Sequence, residues 1–171
     1  FSDDKDEQVQ ASQFLDDFAK SIQKPDAQDP FWPFASAELL VGIVRTLLEC
    51  CDDKAQINMA SVCKMLYDFR KQISGRTYAD ELVRQLPEDS LAKKYLLGYA
   101  NGATETSRSI FQVCSTSLSI FNQSQGLMNM ICHDDLDIYN LDLNNKPLAI
   151  YIILPDETDA YDSLAALLIS Q

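Results

Sequence analysis

The sequence predicts an all-α domain of about six to eight helices, joined to one β-strand and a further helix that belong to an α/β sheet. Three observations predict this fold class. Apolar residues recur at the three- and four-residue spacing of amphipathic helices over most of the chain. Turn formers, including prolines and glycines, separate these segments. The run 146–155 differs, because it is continuously apolar between two prolines, which is typical of a strand buried on both faces.

The helices follow from this periodicity in chain order. They are predicted at about residues 6–23 and 31–51, then from Asn58 toward Ser74-Gly75, and at 78–86, 90–101, 104–122 and 159–170. Ser74-Gly75 either ends the third helix or starts a loop, and 126–131 is a short helix or a turn. The second has a wide apolar face, so we expect it to be central in the core. The predicted N-caps are Asn58, Asp89 or Ser90, and Thr104, since side chains of these types accept the free amides of a first turn.

The run 146–155 does not fit an all-helical chain. A single strand cannot satisfy its own backbone groups, and the sequence offers it no partner strand. We therefore expect the chain to be a piece of a larger α/β protein. In this piece, the strand is expected to pair with a second copy, to pack against the helices, or to be disordered.

Length and charge limit the function. The 171 residues suffice for one domain with a core. The formal net charge of −12 repels phosphates and anionic membranes, so we expect a basic protein partner rather than nucleic acid or a membrane. No apolar run approaches the ~20 residues that cross a bilayer, and the acidic start is unlike a signal peptide. Five cysteines in mostly helical patterns indicate reduced thiols of a cytoplasmic protein.

Motifs for catalysis are weak. The chain has no Gly-x-x-x-x-Gly-Lys-Ser/Thr loop, so we expect no nucleotide binding. Cys132, His133 and the acidic pair after them lack the spacing of a zinc site, and adjacent side chains rarely form a nucleophile pair. Asp156 and Glu157 fit an acidic first helical turn better than a magnesium site. We therefore predict no catalytic, metal or cofactor residue in this chain.

Two segments are candidates for structural or partner contacts. Asp29 is expected to cap the second helix, with Phe31 and Trp32 anchored in the core; an exposed aromatic docking site is the alternative. The second segment is the polar start of the sixth helix. Its candidate partner contacts are Thr104, Glu105, Thr106 and Arg108. A solvated cap is the simpler interpretation there, because Glu105 opposes anion binding at the helix N-terminus.

Several motifs together resemble TraG/TraD-type coupling proteins, the DNA-transfer ATPases of conjugative type IV secretion systems. In chain order they are Asp29-Pro30-Phe31-Trp32 with Ala35 and 37–40, then 106–110 with Leu118 and Phe121, Asp137-Ile138, 146–155 and 164–171. The resemblance implies that residues 1–145 are an all-α substrate-recognition domain inserted in a RecA-like ATPase domain. Residues 146–171 would be a strand and a helix of that ATPase domain.

The resemblance also implies a function. The parent would be a hexamer that binds ATP and magnesium, with its phosphate loop before Phe1 and its catalytic Asp-Glu after Gln171. Helices further upstream would anchor it in the inner membrane, leaving this domain cytoplasmic and without catalysis. Its partners would be the relaxase or relaxosome, accessory proteins or effectors. The alternatives are a single-stranded DNA-binding module, although Arg70-Lys71 and Lys93-Lys94 are the only paired basic residues, and an unrelated helical regulatory or scaffold domain.

Overall fold

A computed structural model describes residues 5–23, 29–122, 125–132, 151–153 and 165. Within them, the helices are α1 (Lys5–Ile22), α2 (Phe31–Cys50), α3 (Met59–Asp68), α4 (Tyr78–Gln85), α5 (Leu91–Ala100), α6 (Thr104–Ser117), α7 (Ser119–Asn122) and α8 (Gln125–Ile131). A short 3₁₀ helix covers Lys54–Gln56, and the strands β1 (Gln72–Ile73) and β2 (Arg76–Thr77) form a hairpin. The predicted all-α class is confirmed.

The central helix is α2, as its apolar face predicts. It packs against α1, α3, α5 and α6, and Leu40 and Ile43 are fully buried. The closest approach is to α5, because a Cβ on Gly42 would lie 2.6 Å from the Cδ2 of Leu96. This helix has the length and hydropathy of a membrane span, but 61% of the qualifying stretch is buried inside the fold, as in the core helix of a packed domain.

The rest of the core comes from the inner faces of the other helices. Its largest fully buried side chains include Phe69, Leu66, Leu96 and Leu118. All five cysteines are free thiols, and two of them, Cys63 and Cys114, lie in this core. Burial raises the pKa of the Cys114 thiol to about 12, so it stays protonated and acts as a small apolar side chain.

The third helix ends at Asp68, and the hairpin follows it, so Ser74-Gly75 forms a turn and is not the helix end. Ser74 and Gly75 have φ angles of 51° and 83°, so both central turn positions are left-handed. Two such residues close a two-residue antiparallel hairpin, here with Gln72 opposite Thr77. Glycine adopts this backbone without steric cost, and the chain therefore reverses here instead of continuing as a helix.

The predicted C-terminal strand is described only at residues 151–153. These residues form no strand, and Tyr151 and Ile153 are 86% and 91% exposed, so they do not pack against the helices; pairing with a second copy stays a prediction. Strand pairing needs a neighbouring strand, and the described part of the chain places none beside them. The rest of this run, the connection 133–145, and the last predicted helix apart from Ala165 lie outside the described residues, as does the predicted boundary at residue 145.

Candidate functional site

An open cleft lies where the hairpin and the start of α4 meet the connection between α5 and α6; we call it the hairpin cleft. It encloses about 200 Å³. Phe69 and Tyr99 supply aromatic lining. The polar side chains that line it are Arg70, Gln72, Thr77, Asp80, Thr104, Ser107 and Arg108. The cleft thus combines one apolar part with charged groups of both signs.

Local hydrogen bonds set the shape of this cleft. The Thr77 hydroxyl accepts the Asp80 N–H and the Asp80 carboxylate accepts the Thr77 N–H, both at 3.2 Å, which forms a capping box at α4. On the opposite side, the Ser107 hydroxyl donates to the Tyr99 carbonyl at 2.7 Å. A Cβ on Gly102 would lie 2.9 Å from that hydroxyl oxygen, so glycine allows the tight turn between α5 and α6.

Two arginines give the hairpin cleft its positive charge. The Arg70 guanidinium lies 4.9 Å from the centre of the Phe111 ring, in a cation–π arrangement. Arg108 Nη1 is 3.9 Å from the Glu105 carboxylate, and both side chains are exposed. In the described part of the chain, no ion pair joins Arg70 to a carboxylate. Burial raises the pKa of Tyr99, and the nearby Arg70 charge partly offsets this.

The cleft lies in the least acidic part of the sequence. Residues 61–132 contain eight basic and six acidic side chains, for a net charge of +2. Residues 1–60 contain five basic and twelve acidic side chains, and residues 133–171 contain one basic and eight acidic, so each carries −7. The overall −12 therefore comes from the two ends of the chain.

A second surface lies at the start of α2; we call it the aromatic face and define it as Phe31, Phe34 and Glu38. These positions are three and seven residues apart, so they share one side of the helix. Phe31 is 50% exposed and Phe34 is 58% exposed. Burial raises the pKa of the Glu38 carboxyl, and within the described residues no cation forms an ion pair with it.

The aromatic face corrects one of the predicted structural anchors. Trp32 is half-buried against the core, whereas Phe31, one position earlier on the helix, is directed outward and meets the Trp32 ring edge-on at 5.0 Å. Phe31 therefore lies at the surface and does not enter the core, whereas the alternative of an aromatic docking site stays a prediction. Asp29 accepts the Phe31 N–H at 3.1 Å, at the start of the helix as predicted, although Pro30 occupies the N-cap position.

The predicted contact residues of the sixth helix are only partly brought together. Thr104 and Arg108 line the hairpin cleft, while Thr106 does not, and Glu105 extends into solvent beside Arg108. Ala103 rather than Thr104 is the N-cap, because Thr104 already has helical geometry. Arg70 was not predicted as part of this site. The signal that could have indicated it is the Ser74-Gly75 pair, because a two-residue hairpin turn there directs the chain back toward α3.

The structure describes only some of the metal and nucleophile candidates that the sequence contains. Among the described residues, no group of three or more His, Cys, Asp or Glu side chains could hold a metal ion. Cys132 is described and half-buried, with its thiol 3.6 Å from the Asn58 side-chain oxygen. Its predicted neighbours His133, Asp134 and Asp135, and the pair Asp156-Glu157, lie outside the described residues.

Fold and surfaces together define a helical domain with two accessible regions of different charge. The chain belongs to the family of type IV secretory system conjugative DNA transfer proteins, whose family model matches residues 2–171. This match confirms the resemblance to the coupling proteins, and the alternative of an unrelated helical domain is wrong. No curated protein and no solved structure matches the chain.

Proposed function

We propose that residues 1–145 are a cytoplasmic substrate-recognition domain that binds the relaxase, the relaxosome accessory proteins or secreted effectors during conjugative transfer. The observation that carries this proposal is the aromatic face. Two phenylalanines at half exposure or more leave apolar surface in water, at a cost that burial against a partner removes. Aromatic residues are enriched at protein interfaces and supply much of their binding energy.

The charge around the aromatic face favours a basic protein partner. Residues 1–60, which include this face, carry a net charge of −7. Glu38 lies on the same side of α2 as the two phenylalanines and would meet a cation of the partner. A field of this sign repels DNA phosphates, so contact with the protein component of the relaxosome is the better fit.

The test is a calorimetric titration of the 171-residue chain with the purified relaxase, accessory proteins and effectors of its own transfer system. We expect one of them to bind, and the double change Phe31→Ser and Phe34→Ser to weaken that binding about tenfold or more. The matched control is Leu91→Ser. Leu91 is 44% exposed but lies at the other end of α2, where neighbouring Ala92 and Ser90 hydrogen-bond to Glu49.

Two results would contradict the proposal. One is an absence of binding by every component of the transfer system. The other is equal weakening by Leu91→Ser and by the phenylalanine changes, which would indicate non-specific apolar association.

Direct binding of single-stranded DNA is the second candidate function. It is favoured by the net charge of +2 over residues 61–132 and by Tyr67, which is 51% exposed and packs edge-on against the Phe111 ring that Arg70 also contacts. The exposed part of the Tyr67 ring would stack on a base. A salt titration of oligonucleotide binding distinguishes this function from protein recognition. Submicromolar, salt-sensitive affinity would place DNA binding ahead of protein recognition.

We further propose that this chain has no catalysis of its own. It lacks a phosphate-binding loop, so ATP and magnesium would bind elsewhere in a parent that is hexameric and anchored in the inner membrane by upstream helices. We expect no ATP binding and no turnover from the purified chain. Hydrolysis above a no-protein control, lost on mutation of the chain, would overturn this part of the proposal.

A further inference from the structure

The hairpin cleft brings two arginines, far apart in the sequence, to one small cavity. Arg70 follows α3 and Arg108 lies in the second turn of α6, yet both line the same 200 Å³. Two like charges on one cavity repel each other, and an anion between them removes that cost. Within the described residues Arg70 forms no ion pair, and the ion pair of Arg108 with Glu105 is long and exposed.

A cation–π contact with the Phe111 ring fixes the position of the Arg70 guanidinium. The guanidinium lies 4.9 Å from the Phe111 ring centre, and Phe111 itself is 5% exposed and fixed in the core. A cation–π contact leaves the guanidinium without a carboxylate partner, so its N–H groups can donate to a ligand. Arginine N–H groups are a fork that matches the two oxygens of a carboxylate.

The size and charge of the cavity favour a single carboxylate over a nucleic-acid backbone. A space of about 200 Å³ holds one side chain or chain terminus, with its aliphatic part against the partly exposed Tyr99 ring. The arginines exceed the one acidic lining residue, Asp80, by a single charge. Asp80 and the exposed Glu105 would repel the succession of phosphates in a polynucleotide, whereas one carboxylate needs only the arginine pair.

We propose that the hairpin cleft binds a carboxylate group of a protein partner, either an acidic side chain or a C-terminus. Arg70 and Arg108 hold its two oxygens, and Thr104 donates its hydroxyl at the edge of the cleft. This rests on the proposed protein-recognition function and adds a second contact, of opposite charge to the aromatic face. A partner that uses both surfaces therefore carries a basic, apolar segment and a separate acidic group.

The test is fluorescence anisotropy with fluorescein-labelled octapeptides and the 171-residue chain. One peptide alternates glycine and glutamate and is amidated; a second alternates glycine and glutamine and has a free C-terminus; a third has the glutamine sequence and is amidated. We expect at least one of the first two to bind tenfold or more tightly than the third. The first identifies side chains as the source of the carboxylate, and the second identifies the terminus.

Variants assign the binding to the cleft. Arg70→Gln and Arg108→Gln are expected to weaken the peptide three- to tenfold each, because an exposed charge-assisted pair is partly screened. Arg70→Lys should lie between Gln and the wild type, since it retains the charge without the fork. The matched control, Arg84→Gln on α4, removes an exposed arginine outside the cleft and should change the affinity less than twofold.

Three outcomes would overturn the inference. They are equal binding of the neutral amidated peptide, equal weakening by Arg84→Gln, and tighter binding of an eight-residue oligothymidine than of either carboxylate peptide. The last would assign the arginines to phosphate. Because these probes contain no cargo protein, their failure leaves the relaxase and effector titrations unaffected, and failure of those titrations leaves the peptide result standing.

Discussion

The hairpin cleft and the aromatic face differ in how the chain builds them. The aromatic face is three positions on one helix, while the cleft joins residues 69–108 from the hairpin and three helices. The face combines two phenylalanines with one carboxylate and lies in an acidic part of the chain, whereas the cleft is mostly polar and carries two arginines and one aspartate. The net charge of −12 therefore does not describe the cleft, since the middle of the sequence has a charge of +2.

The two regions also differ in their dependence on the core. The floor of the cleft is Phe69, which is fully buried and contacts the rings of Tyr78 and Tyr99. The exposed Phe34 makes no comparable contribution to the core. Substitutions at the two regions should therefore differ in their cost to stability.

The largest effect is expected from removing the floor of the cleft. Phe69→Ala should lower the free energy of unfolding by about 3–5 kcal/mol, because it leaves a large cavity among buried aromatic rings. Phe34→Ala should cost about 1 kcal/mol or less, since most of that ring is already in water. Urea unfolding followed by circular dichroism measures both. An equal cost at the two positions would mean that the aromatic face is part of the core.

An intermediate effect is expected from the capping box beside the cleft. Thr77→Ala removes the hydroxyl that accepts the Asp80 N–H and should cost about 1 kcal/mol. Thr77→Ser keeps the acceptor and serves as the control in the same urea experiment. If serine and alanine cost the same amount, the hydrogen bond contributes nothing and β-branching at this position explains the loss.

The smallest effects are expected from two carboxyls, with opposite signs. Hydrogen bonds from Lys64 and then Lys71 lower the pKa of Asp68 below its ordinary value of 3.8. A carboxyl whose pKa is lowered by folding stabilises the fold at pH values above its unfolded-state pKa. This stabilisation is lost as the pH falls through the folded-state pKa. Desolvation instead raises the pKa of Glu38 above 4.5, so its ionisation destabilises the fold at neutral pH and stops doing so in acid.

Asp68→Asn should therefore lower the unfolding midpoint slightly at pH 7, and Glu38→Gln should raise it slightly. The difference for Glu38→Gln should shrink toward pH 3. The difference for Asp68→Asn should shrink only at still lower pH. Thermal unfolding at pH 7 and across the acid range measures them, and both shifts are small because exposed charges are well screened. A change of the same sign at both positions would contradict the assigned causes.

The sequence predicted what depends on local periodicity. The central place of α2 follows from its wide apolar face, and Asn58 caps α3 as predicted, with its side chain accepting the Ser61 N–H. The direction of Phe31 was missed because Phe31 and Trp32 are adjacent and equally apolar, and only the packing of α2 decides which one turns inward. At residues 151–153 the apolar pattern indicated a strand without a partner in this chain, and the exposure of Tyr151 and Ile153 agrees with that lack of a partner.

The hairpin cleft could not be predicted from local sequence pattern, for a different reason. Thr104 and Arg108 were candidates because they begin a polar helix, but Arg70 joins them only through tertiary folding. The Ser74-Gly75 turn directs the chain back from α3, and Gly102 permits the tight turn before α6. Neither turn specifies which side chains will face each other across the resulting space.

Recognition through two surfaces is tested most directly by nuclear magnetic resonance mapping of the ¹⁵N-labelled 171-residue chain with two separate peptides. One is a lysine-rich amphipathic peptide and the other is the amidated glycine–glutamate octapeptide. We predict shifts at Phe31, Phe34 and Glu38 with the first, and at Arg70, Thr104 and Arg108 with the second. Shifts of the same residues by both peptides, or of neither set, would contradict the claim that this domain recognises proteins through two surfaces of opposite charge.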